Sequence, residues 1–236
     1  MSPRWKCATV AVACLLGTAE AAAQTAVGRE SAAGRYNRLR DFTLRPQQGV
    51  APVSPDVFGT AAIGAGVTYY DARFRRVAGA DRSHPLVQQM AAGLAGLTPE
   101  QQLQAVHSQV RAKVSWAHDL DTMKVADLWA NAGETLERGA GDSEDIAVVQ
   151  MQVLKAAGWN PRDLYISIGR EKGIGAHIVL LARTPSGNFY VLDDRTGGPL
   201  TPQQHARFTP ILTLGEGKSW VHGRRVGGAT GRLSAR

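Results

Sequence analysis

The hydrophobic period of this chain changes once, near residue 160, and that change fixes the class of fold open to it. Asp142 is a good helix N-cap, Asp145 falls in the first turn, and Ile146, Val149, Val153 and Leu154 follow at helical spacing before Gly158 stops the run. Immediately afterwards Leu164–Ile168, Ala176–Leu181 and Phe189–Asp193 alternate as strands, and Thr184-Pro-Ser-Gly-Asn188 reads as the loop of a hairpin joining the last two. Helix first and antiparallel strands second predict an α+β fold with helices packed on an antiparallel sheet. Upstream, Thr98 as N-cap, Pro99 at the first helical position and Gln101 completing a capping box start a helix that buries Leu103, Val106, Val110 and Val114. A shorter helix from Ser83, with Pro85 at its start, is expected to use Leu86, Met90 and Leu94.

The same segments carry the candidate chemistry. Gly139 and Gly141 allow a close backbone approach just before Ser143, the first helical residue, where unpaired N–H groups and a partial positive charge gather. That field would turn a thiol into thiolate, whereas a hydroxyl still needs a general base during attack. If Ala182 faces Asn188 or Phe189, the hairpin sets His177 across from Asp193 or Asp194. Helix-start Ser143, strand His177 and strand Asp193 thus follow the order nucleophile, base, orienter, and the imidazole is expected to face Ser143. Trp129 is expected to pack, with an indole N–H available to an oxyanion as the other reading. His84, His107, His118, His205 and His222 show no metal-ligand spacing and are taken as surface or core residues.

Val57-Phe-Gly-Thr60, Asp127-Leu-Trp129 followed by Glu134, Gly139-Ala-Gly-Asp-Ser-Glu-Asp145, Ala176-His177 and Leu192-Asp193 occur in one order along most of the chain. In these pieces the sequence resembles the bacterial transglutaminase-like cysteine proteinases, whose LapG-type periplasmic members clip large surface adhesins. The resemblance implies a papain-like, transglutaminase-type fold and a family triad on Ser143, His177 and Asp193. It also implies calcium bound through acidic neighbours of the nucleophile, which map to Asp142 and Glu144. Two positions depart from the family pattern: serine stands at 143 where the family has cysteine, and Asp194 stands where it usually has asparagine. Two functions follow as expectations. One is a peptidase-family protein acting on a surface or periplasmic polypeptide through a Ser-His-Asp triad, with low or absent proteolysis. The other is a non-catalytic module that binds a polypeptide, such as an adhesin or a membrane-protein segment.

The ends are read separately. Arg4 and Lys6, the short apolar stretch Ala8–Gly17 and Ala21-Ala22-Ala23 predict a signal peptide over 1–23, hence a periplasmic or secreted protein with no transmembrane segment once the leader is removed. Both cysteines, Cys7 and Cys14, fall in that leader, so processing leaves no thiol. Residues 24–54 read as a mobile arm, 55–223 as the transglutaminase-like domain and 224–236 as a basic flexible tail. The net charge of +7 does not nominate nucleic acid, because its basic residues are scattered or lie in the tails rather than on one periodic face.

Overall fold

The change of period is realised in the computed structural model, which describes residues 52–118 and 129–224. The signal peptide, nearly all of the arm, the tail beyond Arg224 and the Asp127-Leu128 part of one motif lie outside the described residues. In chain order the elements are β1 (Ala61–Ala65), α1 (Asp71–Val77), α2 (Pro85–Ala92), α3 (Pro99–Lys113), β2 (Ser115–Trp116), α4 (Ala132–Arg138), β3 (Ala140–Gly141) and α5 (Ser143–Ala156). There follow β4 (Leu164–Glu171), β5 (Gly175–Arg183), β6 (Phe189–Leu192), β7 (Phe208–Gly215) and β8 (Lys218–Gly223). Six strands form one antiparallel sheet in the order β1-β8-β7-β4-β5-β6, and β2 and β3 form a short parallel pair. The architecture is α+β, as the sequence predicts.

The capping box at Thr98 is present in both directions: Gln101 N–H donates to Thr98 Oγ1, and Thr98 N–H donates to Gln101 Oε1 at 3.0 Å. A cap of this kind is worth about 1 kcal/mol. Leu103, Val106, Val110 and Val114 are all buried. In α2 two of the three expected stripe residues, Met90 and Leu94, are buried, and Val87 takes the place of Leu86. Val87 and Met90 are buried and Leu94 beyond the helix is too, while Leu86 is only partly covered, because α2 meets α5 rather than solvent along that side.

Helix α5 is buried almost all round, not only along its expected stripe, because it lies between α2, α3 and α4 on one side and β5 on the other. Its polar residues are accordingly spent on neighbouring backbone. Gln152 accepts from Ala132 N–H at 2.8 Å and donates to Val77 C=O at 2.9 Å, and Lys155 Nζ donates to Ala78 C=O at 2.6 Å. Asp142 does stand at the N-cap, but its side chain makes no capping hydrogen bond.

Both faces of the sheet are covered. Ile166, Leu180, Ala182 and Leu192 point into the core that α5 shares, whereas Tyr165, Val179, Leu181 and Val191 join Val57, Phe208 and Trp220 in a second cluster. At the edge of the second layer His222 bridges two hydroxyls, Nδ1 to Thr60 Oγ1 at 2.7 Å and Nε2 to Thr213 Oγ1 at 2.8 Å. Burial pushes its imidazole down to about 4. A histidine whose folded value lies below its unfolded value contributes stability above the unfolded value, near 6.5, and loses it as pH falls toward the folded one. The stability difference between the wild type and His222→Gln should therefore shift against the wild type as pH is lowered from about 6.5 to about 4, read by urea unfolding at each pH. A difference that stays flat across that window would contradict the assignment.

Candidate active site

The turn before α5 is built by close packing and one buried ion pair. Gly139 ends α4 with φ of 67°, a left-handed conformation suited to glycine. At Gly141 a Cβ would fall 2.7 Å from the Asp145 Cβ, so no larger residue fits. Asp145 is fully buried, accepts from Ala130 N–H at 2.9 Å and pairs with Arg138 at 2.7 Å. Arg138 Nε in turn holds Ala140 C=O at 2.8 Å. Asp145 is thus the staple of the turn rather than only a first-turn acid. Ser143 stands at the first helical position, 8% exposed.

The imidazole and carboxylate meet on the sheet. His177 Nε2 lies 2.9 Å from Asp193 Oδ1, both buried. The pairing that delivers them differs from the expected one. Arg183 faces Phe189 and Ala182 faces Tyr190, one or two residues from the sequence-based register, and β6 ends at Leu192. Continuing that ladder by one step sets Asp193 beside Val179, so His177 reaches it as a diagonal neighbour on the same face rather than directly across. Opposite His177 in β4 is Gly169, where a Cβ would fall 2.3 Å from Thr209 C=O and 2.6 Å from the Phe208 ring. The missing side chain lets Phe208 stand edge-on to His177, ring centroids 6.3 Å apart.

Asp193 gathers more than His177. Its other oxygen, Oδ2, lies 2.6 Å from His205 Nε2, and Arg195 N–H donates to Oδ1 at 2.9 Å. Burial by itself would raise this carboxyl, but the hydrogen bonds from His177 and His205 hold it well below the usual carboxylate range. With Asp193 ionised both imidazoles donate to it through Nε2. The bond to Asp193 raises His205, and burial, reinforced by the Asp193 charge and opposed by His177, pushes Asp194 up to about 6. Asp194 Oδ1 is 3.5 Å from His177 Nε2, so Asp193 is the nearer partner, as expected. Glu171 Oε2 closes the group at 3.9 Å from the same nitrogen.

Two members of this group, His205 and Glu171, are not among the site residues expected from the sequence. Glu171 is legible in retrospect, since β4 runs past Ile168 and the alternation continues to residue 171. His205 sits after a turn closed by Thr201 and Gln204, where no periodic signal exists. The Val57-Phe-Gly-Thr60 motif also finds a place. Phe58 adopts φ of 57°, rare for a bulky residue, and its ring packs 5.1 Å from Phe208 and 6.3 Å from His205. Trp129 is buried in the core, with its Nε1 lacking a hydrogen-bond partner among the described residues.

Ser143 is not joined to the pair. Among the described residues no hydrogen bond links its hydroxyl to the His177 ring, although α5 packs on β5. By strand parity His177 shares its face with Val179 and Leu181, while α5 rests on the face of Leu180 and Ala182. Asp142 and Glu144 flank Ser143, half-buried. They supply two of the six or more oxygens that calcium takes, a set that backbone carbonyls and water also fill.

Comparison with known proteins decides the family. Residues 86–211 match the family model described as bacterial transglutaminase-like cysteine proteinase BTLCP. The chain belongs to this family. Among solved structures, calcium-bound LapG of Legionella pneumophila is 23% identical, covering 58% of this chain and 76% of its own, with a TM-score of 0.52. EGTA-treated LapG of the same organism is 20% identical over 68% of this chain and 89% of its own, with a TM-score of 0.53. These likenesses show the transglutaminase-like fold. No curated protein matches the chain. Membership in a cysteine proteinase family carries with it action on polypeptide, and among the described residues no helix is long and apolar enough to cross a membrane.

Proposed function

We propose that this protein is an exported member of the BTLCP family that engages a surface or periplasmic polypeptide, with Ser143, His177 and Asp193 at the triad positions and with low or absent proteolysis. The observation that supports the reading is that the His177–Asp193 pair is assembled while residue 143 carries a hydroxyl that, among the described residues, makes no hydrogen bond to the ring. Hydrolysis would require Ser143 Oγ to pass its proton to His177 Nδ1 while Asp193 holds Nε2–H, and the Ser143 backbone N–H to help bind the oxyanion. A hydroxyl is only activated by a base it can reach.

Non-catalytic binding of a polypeptide is the second reading, favoured by the same serine and by the confinement of both cysteines to residues 7 and 14, in the segment read as a leader. Export rests on that leader, and the domain limits on the composition of residues 24–54 and 224–236.

A fluorophosphonate probe, which reacts only with an activated serine, separates the readings. The purified chain should show no labelling of Ser143 by intact mass after incubation that saturates a serine-hydrolase control. Stoichiometric labelling that His177→Ala abolishes would overturn the proposal and establish a working Ser-His-Asp hydrolase.

Calcium enters the proposal as a weak ligand of Asp142 and Glu144, supported by the calcium-bound state of the LapG neighbour. Millimolar calcium should raise the melting temperature of the wild type and leave that of an Asp142→Asn, Glu144→Gln variant unchanged. Equal responses in the two proteins would remove calcium from these residues.

A further inference from the structure

The Asp193 group contains more carboxylate than one imidazole can use. Glu171, Asp193 and Asp194 all aim an oxygen at His177 Nε2, at 3.9, 2.9 and 3.5 Å. Of the three, Asp193 takes the hydrogen bonds of both imidazoles and of Arg195 N–H. Glu171 Oε2 and Asp194 Oδ1 are buried without a hydrogen-bond partner, in side chains that are each 7% exposed. Two guanidinium groups stand at ion-pair distance from Glu171, Arg195 Nε at 3.9 Å from Oε2 and Arg207 Nε at 3.5 Å from Oε1, and neither hydrogen-bonds Oε2. Buried carboxylate oxygens left in this state are costly unless a cation joins them.

We propose that Glu171, His177 and Asp193 form a binding site for a divalent transition-metal cation of the zinc class, held across the ends of β4, β5 and β6. One donor atom from each residue lies within 4.8 Å of the other two. In a tetrahedral site with ligand bonds of 2.0–2.2 Å, donor atoms are spaced by about 3.4 Å. The separations from Nε2 to the two ligand oxygens, 2.9 and 3.9 Å, bracket that spacing, so closing on an ion takes shifts of about half an ångström. An imidazole nitrogen with two carboxylates suits zinc and its neighbours and does not suit calcium, which takes oxygen ligands. The surroundings fit a metal ligand set as well. His205 and Arg195 N–H bind the Asp193 carboxylate from behind, fixing its orientation, and Asp194 adds negative charge beside the site. Binding replaces the His177 Nε2–H···Oδ1 bond: the neutral ring coordinates through its Nε2 lone pair and its proton moves to Nδ1, with no net proton released from the ring.

The site needs no serine chemistry, so its test is independent of the proposed function. Calorimetric titration of the purified chain with zinc chloride in chelator-free buffer should show one saturable site per chain. Glu171→Gln and His177→Ala, each verified as folded by circular dichroism, should weaken it at least tenfold, and Ser143→Ala should leave it within about twofold. Cobalt(II) should give the visible absorption of a tetrahedral ion in the wild type and lose it in Glu171→Gln. A folded wild type with no saturable zinc binding would overturn the site, as would Glu171→Gln and His177→Ala variants that bind as tightly as the wild type.

Discussion

The Asp193 carboxylate, buried and ionised at the end of β6, is the interaction on which the functional end of this molecule depends. Two imidazoles and one backbone N–H are spent on it, which is how a charge can stay below its usual titration range inside a protein. Each partner comes from a different stretch of chain: His177 from β5, His205 from the turn before β7, and the N–H from Arg195 in the turn after β6. Replacing Asp193 would therefore remove the hydrogen-bond acceptor of both histidines at once, and the ends of β5, β6 and β7 would lose their common anchor.

That anchor also decides what the site can do. Asp193 holds His177 on the sheet face of Val179 and Leu181, while α5 starts its helix against the other face, on Leu180 and Ala182. The family's arrangement needs the helix start and the ring to meet. Here both halves are individually well made. The Gly139–Gly141 turn with the Arg138–Asp145 pair would present any residue at 143 to a field of helix N–H groups, and the Gly169 gap admits Phe208 to steady the ring. What is missing, among the described residues, is a hydrogen bond between Ser143 and the ring, together with a thiol at 143.

Most of this plan was legible in the sequence where a local rule governs the outcome. The capping box at Thr98, the buried face of α3, the start of α5 at Ser143, the 184–188 hairpin loop and the proximity of His177 to Asp193 all rest on short-range chemistry. The register of β5 against β6 was off by one or two residues because the hairpin loop fixes it through the Thr184–Asn188 bond, a detail that composition does not set. The burial of α5 on every side, and of Gln152 and Lys155 within it, follows from the number of helices packed around it, which no window of sequence reports. His205 and Glu171 are long-range members of the site: their roles exist only once β4, β5 and the turn at 201–205 are brought together.

The central claim is that Ser143 is not hydrogen-bonded to the His177–Asp193 pair. It is tested most directly by placing a thiol at the family position and asking whether the ring senses it. The Ser143→Cys protein should react with iodoacetamide faster than a free model thiol at neutral pH, because the helix start favours thiolate. Adding His177→Ala should leave that rate within about twofold. A tenfold or greater slowing on removal of the imidazole would show that the ring reaches residue 143, and would contradict the account.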